Sequence, residues 1–128
     1  MVASFFAYIC KRIFLKPSKM TELNELISKI VKFRDDRDWA QFHNPKDLAI
    51  ALNIEASELL ELFLWKTEDG ANISRVKEEL ADILIYSLLL ANKYNLDVMT
   101  IIESKLKKNS EKYPVDKARG SAKKYNEL

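Results

Sequence analysis

Apolar residues recur at helical spacing along most of this chain. Leu23, Leu26, Ile27, Ile30 and Phe33 form a stripe at i, i+3, i+4 and i+7, which predicts a helix capped by Thr21 and running to about Arg37. Asp38 to His43 (DWAQFH) breaks the pattern as a polar and aromatic connector. Asn44 and Pro45 then signal a second start, with an Asn cap, proline at the first helical position and Asp47 set against the dipole. Leu48, Leu52, Leu59, Leu62 and Phe63 carry that helix to about Trp65, and Glu68-Asp69-Gly70 makes the turn. A third helix is predicted from Ser74 to about Lys93, and Asn92 to Leu96 connects it to the next. Asp97 caps a fourth, which ends at Tyr113 because Pro114 cannot continue it. Alternating runs are absent, and the chain has only two glycines and three prolines, so the fold class is all-α with a four-helix-bundle-type core.

Two of these helices carry acid where apolar residues should be. At about 100° per residue from Val76, Glu79 falls near roughly −60° and Asp82 near roughly −120°, among Ile83, Tyr86, Leu89 and Leu90. On the second helix Glu55 sits near the middle of the stripe and Glu58 on its edge, whereas Glu61 turns toward water. Each helix thus supplies an acidic pair at i and i+3 on one side. Ionised carboxylates are costly to desolvate unless they are paired, hydrogen-bonded or bound to a cation. All the candidate ligands are oxygens, and the single histidine, His43, lies outside both pairs. Such a set suits Mg²⁺, with Mn²⁺ as a substitute, better than zinc or iron, and the Glu-x-x-His motifs of a di-iron bundle are missing. Mg²⁺ held this way keeps positions for water and phosphate oxygens, the arrangement phosphoryl chemistry needs. The alternative is a non-catalytic helical interaction module whose acids form interhelical salt bridges.

Charge changes the picture along the chain more than in total. The net charge of +2 is too near balance for a dedicated nucleic-acid binder. From Lys105 onward, however, eight bases (Lys105, Lys107, Lys108, Lys112, Lys117, Arg119, Lys123 and Lys124) face Glu111, Asp116 and Glu127 alone. An acidic cation-holding part and a basic anion-holding part together suit a phosphorylated substrate; solvated surface charge is the bland reading. Lys105, Asn109 and Lys112 extend the line of Val98, Ile101 and Ile102, and polar groups continuing a buried stripe point to a pocket mouth.

Residues 1–19 read differently and are expected to be an extension, disordered or partner-docked, ahead of one domain at 20–128. Val2 to Cys10 is too short to span a bilayer, and Lys11 and Arg12 follow the apolar run rather than preceding it as in a signal peptide. A membrane partner is not expected. The lone Cys10 cannot form an internal disulfide, which makes a reducing, cytoplasmic compartment the expectation.

Several segments together carry a family resemblance. Ile54 to Glu58 with Glu79-Leu80-Ala81-Asp82 resembles the E-x-x-E…E-x-x-D pattern of the MazG-like, all-α nucleoside triphosphate pyrophosphohydrolases. Asp38 to His43, Glu61 to Lys66 (ELFLWK), Glu79 to Tyr86, Tyr113-Pro114 and the tail from Ala118 to Leu128 resemble the dCTP pyrophosphatase branch. Where many MazG sequences open the motif with two glutamates, the first position here is Ile54, as in that branch. The resemblance implies Mg²⁺-dependent hydrolysis between the α and β phosphates of a nucleoside triphosphate, dCTP or related or modified deoxynucleotides. The products would be monophosphate and pyrophosphate, and the role nucleotide-pool sanitation. It implies that Glu55, Glu58, Glu79 and Asp82 hold the metal and carry catalysis. Trp39, Phe42, His43, Trp65 and Tyr86 would form the base and sugar pocket, and Lys105, Asn109, Lys112, Tyr113 and Arg119 would hold phosphates. A helix-end tryptophan is as often a core or interface residue as a stacking platform, and His43 beside the Asn44-Pro45 cap reads equally as general base or structural hydrogen-bonder. The resemblance also implies a homodimer or homotetramer, consistent with residues 83–90, which leave almost no polar face for a monomer.

Overall fold

Each long helix begins where a side-chain oxygen replaces the missing preceding turn. In this computed structural model, which describes residues 21–128, Thr21 accepts from the Asn24 amide (3.3 Å) and Asn44 from that of Asp47 (2.9 Å). Asn72 accepts from Ser74 (2.9 Å) and Arg75 (3.2 Å), and Asp97 from Thr100 (2.7 Å). A cap of this kind contributes about 1 kcal/mol to its helix. The helices so defined are α1 (Glu22–Asp35), α2 (Pro45–Glu61), α3 (Ile73–Lys93) and α4 (Val98–Lys112), followed by a one-turn α5 (Val115–Ala118). Short 3-10 turns occupy Trp39–Phe42 and Tyr125–Glu127, and no strand occurs among the described residues. The all-α expectation holds. The boundary between 1–19 and the domain lies outside the described residues.

Three boundaries differ from the sequence reading. The Asp38–His43 connector contains a 3-10 turn, entered through Asp38 in the left-handed region at φ 54°. Regular helix in α2 ends at Glu61, about four residues early, because the amides of Leu62, Phe63 and Leu64 donate to carbonyls three residues back. Trp65 then takes φ 59°, which ends the segment. Helix α3 starts at Ile73, since Asn72 is the cap. In the turn between them Gly70 donates its amide to the Thr67 carbonyl (2.9 Å), and a Cβ there would lie 2.8 Å from that of Lys66, so the turn is closed to larger residues.

Helices α2 and α3 pack along each other, and α1 lies more lightly against α3. The described core is small: Leu48 on α2 is 1% exposed, and Leu89 and Ala91 on α3 are buried with it. Helix α4 packs only weakly on the rest of the chain. Its Met99, Ile101, Ile102 and Leu106 are exposed, as are Leu80 and Leu84 on α3. Among the described residues no helix is long and apolar enough to cross a membrane.

Candidate active site

The α2–α3 packing brings acids from the two helices face to face. One carboxylate oxygen from each of Glu55, Glu58 and Glu79 lies within 4.8 Å of the others. Glu79 is only 6% exposed, and its Oε1 accepts from Arg75 Nη2 at 2.9 Å, one turn back on the same helix. Glu55 is half-buried and Glu58 exposed. Burial pushes the Glu55 carboxyl above its usual range, and the charges of Asp82, Glu58 and Glu79 push it further. Asp82 therefore stands beside the cluster and acts on Glu55, but it is outside the trio whose oxygens converge. The structure brings together three of the four expected acids and leaves the fourth at their edge.

Could these residues accept a metal? The donors are all carboxylate oxygens, and Glu55 is repelled from three sides with no cation to offset it. Among the described residues, Glu79 alone of the four has a basic partner, and that partner is on its own helix. Interhelical salt bridges, the alternative use for these acids, are absent there. The trio fits a hard divalent cation.

Next to the acids is a pocket of 410 Å³ between α1, the Asp38–His43 connector and α3. Its apolar wall is Ile30, Phe33, Trp39, Ile85 and Leu89, with the Phe33 and Trp39 rings edge to face at 6.0 Å. Asp82 and Tyr86 connect this wall to the acids. Burial, then Glu55 and Asp82, hold the Tyr86 phenol above its usual value, so its hydroxyl remains a donor. The His43 ring meets Tyr86 edge-on at 6.3 Å, and its Nδ1 is a buried atom with no hydrogen-bond partner. Burial and the nearby Arg34 charge lower the His43 pKa, which keeps the imidazole neutral near pH 7. Lys29 and Arg34 complete the lining. Sequence reasoning missed these two and the part played by Ile30 and Phe33, because α1 was visible only as a packing stripe.

Of the expected binding residues, Trp39, His43 and Tyr86 line this pocket and the others do not. Phe42, the last residue of its 3-10 turn, is exposed, and Trp65, past the end of α2, is 94% exposed. Lys105, Lys112 and Arg119 are exposed, Asn109 is half-buried, and none of them lines the pocket. Tyr113 instead stacks edge-on against Tyr125 at 6.1 Å, with Lys112 Nζ 4.9 Å from the Tyr125 ring. For Lys105, Asn109, Lys112, Tyr113 and Arg119 the reason is shared: within one chain α4 and the tail pack only weakly on the α2–α3 pair. Gln41, a further polar group on the connector, spends its amide nitrogen on the Asp38 carbonyl and carboxylate, both at 2.9 Å.

Residues 50–128, which contain the acid cluster, match the model of the MazG-like family. The chain belongs to that family. Among similar proteins, dCTP pyrophosphatase 1 of Mus musculus is 43% identical over 105 residues, covering 76% of this chain and 62% of the relative. The Homo sapiens protein of the same name is 40% identical over the same shares. This MazG-like chain thus spans 62% of the length of the curated relatives it matches. A crystal structure of a pyrophosphatase from Archaeoglobus fulgidus DSM 4304 superposes with a TM-score of 0.69 at 36% identity, covering 73% of this chain and 94% of that one. The MazG-like fold expected from the sequence agrees with this likeness.

Proposed function

We infer that this chain is a Mg²⁺-dependent nucleoside triphosphate pyrophosphohydrolase, with Mn²⁺ as a substitute, acting on dCTP or related deoxynucleotides in the cytoplasmic pool. The observation that carries this reading is the convergence of three carboxylates from two helices beside an aromatic pocket. The names of the relatives, dCTP pyrophosphatase and pyrophosphatase, point the same way. In the reaction a water oxygen bonds to the α phosphorus, the bond from that phosphorus to the bridging oxygen breaks, and monophosphate and pyrophosphate leave. A bound cation supplies neutralisation of phosphate charge and activation of water. Glu55, Glu58 and Glu79 would hold it, with Asp82 at the edge between cation and base pocket. Trp39 and Tyr86 bind and orient the base and sugar, and the apolar wall excludes water.

The working form in this reading is a homodimer or homotetramer. The uncovered apolar face of α4 and the exposed Leu80 and Leu84 support it, since a soluble monomer rarely leaves so much contiguous apolar surface open. Assembly would also give Trp65, Phe42, Lys105, Asn109, Lys112, Tyr113 and Arg119 a route to a neighbour's site. The test is to incubate the full chain with each deoxynucleoside triphosphate and Mg²⁺ and to quantify phosphorus products. Monophosphate and pyrophosphate in equal amounts are expected, with loss of both in Glu79→Gln. Orthophosphate without pyrophosphate, or no product from any of the four, overturns the reading.

A further inference from the structure

The pocket beside the acids carries two basic groups that the catalytic reading leaves unused, Lys29 and Arg34, and of these only Arg34 is held by a partner among the described residues. Arg34 lines it, with a side chain only 14% exposed. Asp35, the next residue, fixes its orientation: one oxygen, Oδ1, accepts from Nε at 2.8 Å and lies 2.7 Å from Nη2. That pair occupies one side of the guanidinium. The opposite end of the fork, Nη1 with the second hydrogen of Nη2, has no protein acceptor among the described residues. The free end of this fork keeps its donors available in the pocket and suits a ligand that offers two adjacent acceptors. The only acceptors nearby in the lining belong to Asp82, Tyr86 and His43, and no hydrogen bond joins Arg34 to them.

What sort of ligand offers such a pair here? Phe33, Trp39, Ile85 and Leu89 make one wall apolar and partly aromatic, suited to a ring. The phosphates belong with the carboxylate trio at the Asp82 end. His43 adds a buried Nδ1 without a partner on the same pocket. With the imidazole neutral, one ring nitrogen is an acceptor. Fork and imidazole together thus present donor, donor and acceptor. Along its Watson–Crick edge cytosine presents O2 and N3 as acceptors and the N4 amino group as donor. Thymine presents a donor at N3, between two acceptors, and the Watson–Crick edge of adenine presents a single acceptor, N1, beside the N6 amino donor. Both would leave part of the row unmatched.

We propose that Arg34, held by Asp35, is the specificity-determining residue of the pocket, and that its free fork receives O2 and N3 of cytosine while His43 faces the N4 amino group. This rests on the nucleotide reading above and adds to it the group that chooses the base. Lysine cannot replace it, because a single ammonium offers no planar fork.

The test separates base choice from hydrolysis. Binding of dCMP, dTMP, dAMP and dGMP to the full chain is measured by calorimetry in EDTA, where neither metal nor turnover is needed. The expected result is tightest binding of dCMP. Arg34→Met and Arg34→Lys should each weaken dCMP by roughly 10- to 100-fold, the discrimination of one bidentate base contact, and the other three by less than about 3-fold. Circular dichroism of both variants checks the fold, and Asp35→Asn, which frees the guanidinium without removing it, should show a smaller loss in the same direction. Equal losses for all four monophosphates, or no preference for dCMP in the unaltered chain, overturn the proposal. A loss as large for dGMP as for dCMP assigns the fork to guanine O6 and N7 and overturns the cytosine assignment. Turnover of the triphosphates is scored separately: selective dCMP binding without hydrolysis sinks the enzyme reading and leaves Arg34 in place.

Discussion

Replacing Glu55 by Gln should make the metal-free protein more stable and less responsive to Mg²⁺. A Glu55 oxygen lies within 4.8 Å of oxygens of Glu58 and Glu79, and at that distance two unit charges repel by about 1 kcal/mol in water and about 3.5 kcal/mol at an effective dielectric near 20. Glu58 is exposed, so the lower figure applies to it. Glu79 is buried, which favours the higher one, but Arg75 at 2.9 Å cancels much of its charge. With Asp82 adding to the same side, a net gain of about 1–2 kcal/mol is expected on removing the Glu55 charge, or about 5–10 °C in Tm for a domain of this size. The assay is a thermal melt at neutral pH and fixed protein concentration, first in EDTA and then across a Mg²⁺ series. In EDTA the variant should melt higher than the unaltered chain, whereas the Mg²⁺-induced rise, which reports binding to the folded state, should shrink or vanish. A variant that melts lower in EDTA and keeps the full Mg²⁺ response would refute the reasoning, because Glu55 would then be a stabilising acid outside the cation site.

Trp39→Ala should raise KM for all four deoxynucleoside triphosphates by roughly 10- to 100-fold with a smaller change in kcat, as loss of one stacking contact requires; unchanged KM in steady-state kinetics would remove Trp39 from the base pocket. Light scattering should give the full chain at least twice its monomer mass, and Leu106→Glu, on the exposed face of α4, should lower that mass; a monomeric unaltered chain contradicts this. His43, whose folded-state pKa lies below the ordinary 6.5, favours its neutral form in the native protein. The stability this contributes is complete above pH 6.5 and is lost as pH falls below that value. His43→Gln should therefore flatten the fall in Tm between about pH 7 and pH 5.5, and an unchanged profile would place the titrating group elsewhere.

Local signals were readable in the sequence because they need no partner. Thr21, Asn44-Pro45 and Asp97 each cap a helix through an oxygen only three residues from its target amide, so the spacing alone announces the start. Glu55 and Glu79 were visible because an acid on an apolar face has few reasons to be there. Features that depend on which helix meets which were not readable. The exposure of Trp65 depends on a left-handed turn at that residue, while Lys105 and Asn109 depend on where α4 goes after Asn95. Arg34 carries no signal of its own in the sequence, since its place in the lining depends on the connector and α3 meeting α1. Arg75 could have been picked out as the i, i+4 partner of Glu79, a pattern that is legible, although its weight comes from the burial of Glu79 and burial is a tertiary property.

The Arg75–Glu79 pair has a consequence for the order in which the molecule assembles. A counter-charge four residues away on the same helix is in place as soon as that turn of α3 winds, on the submicrosecond scale of helix formation and long before distant segments meet. Glu79 can then be carried into the α2–α3 interface already compensated. The docking of the two helices does not have to wait for an ion, so a cation taken up by the trio would be a late guest in a scaffold that has already closed, and in the proposed enzyme its removal should stop turnover without costing the protein its shape.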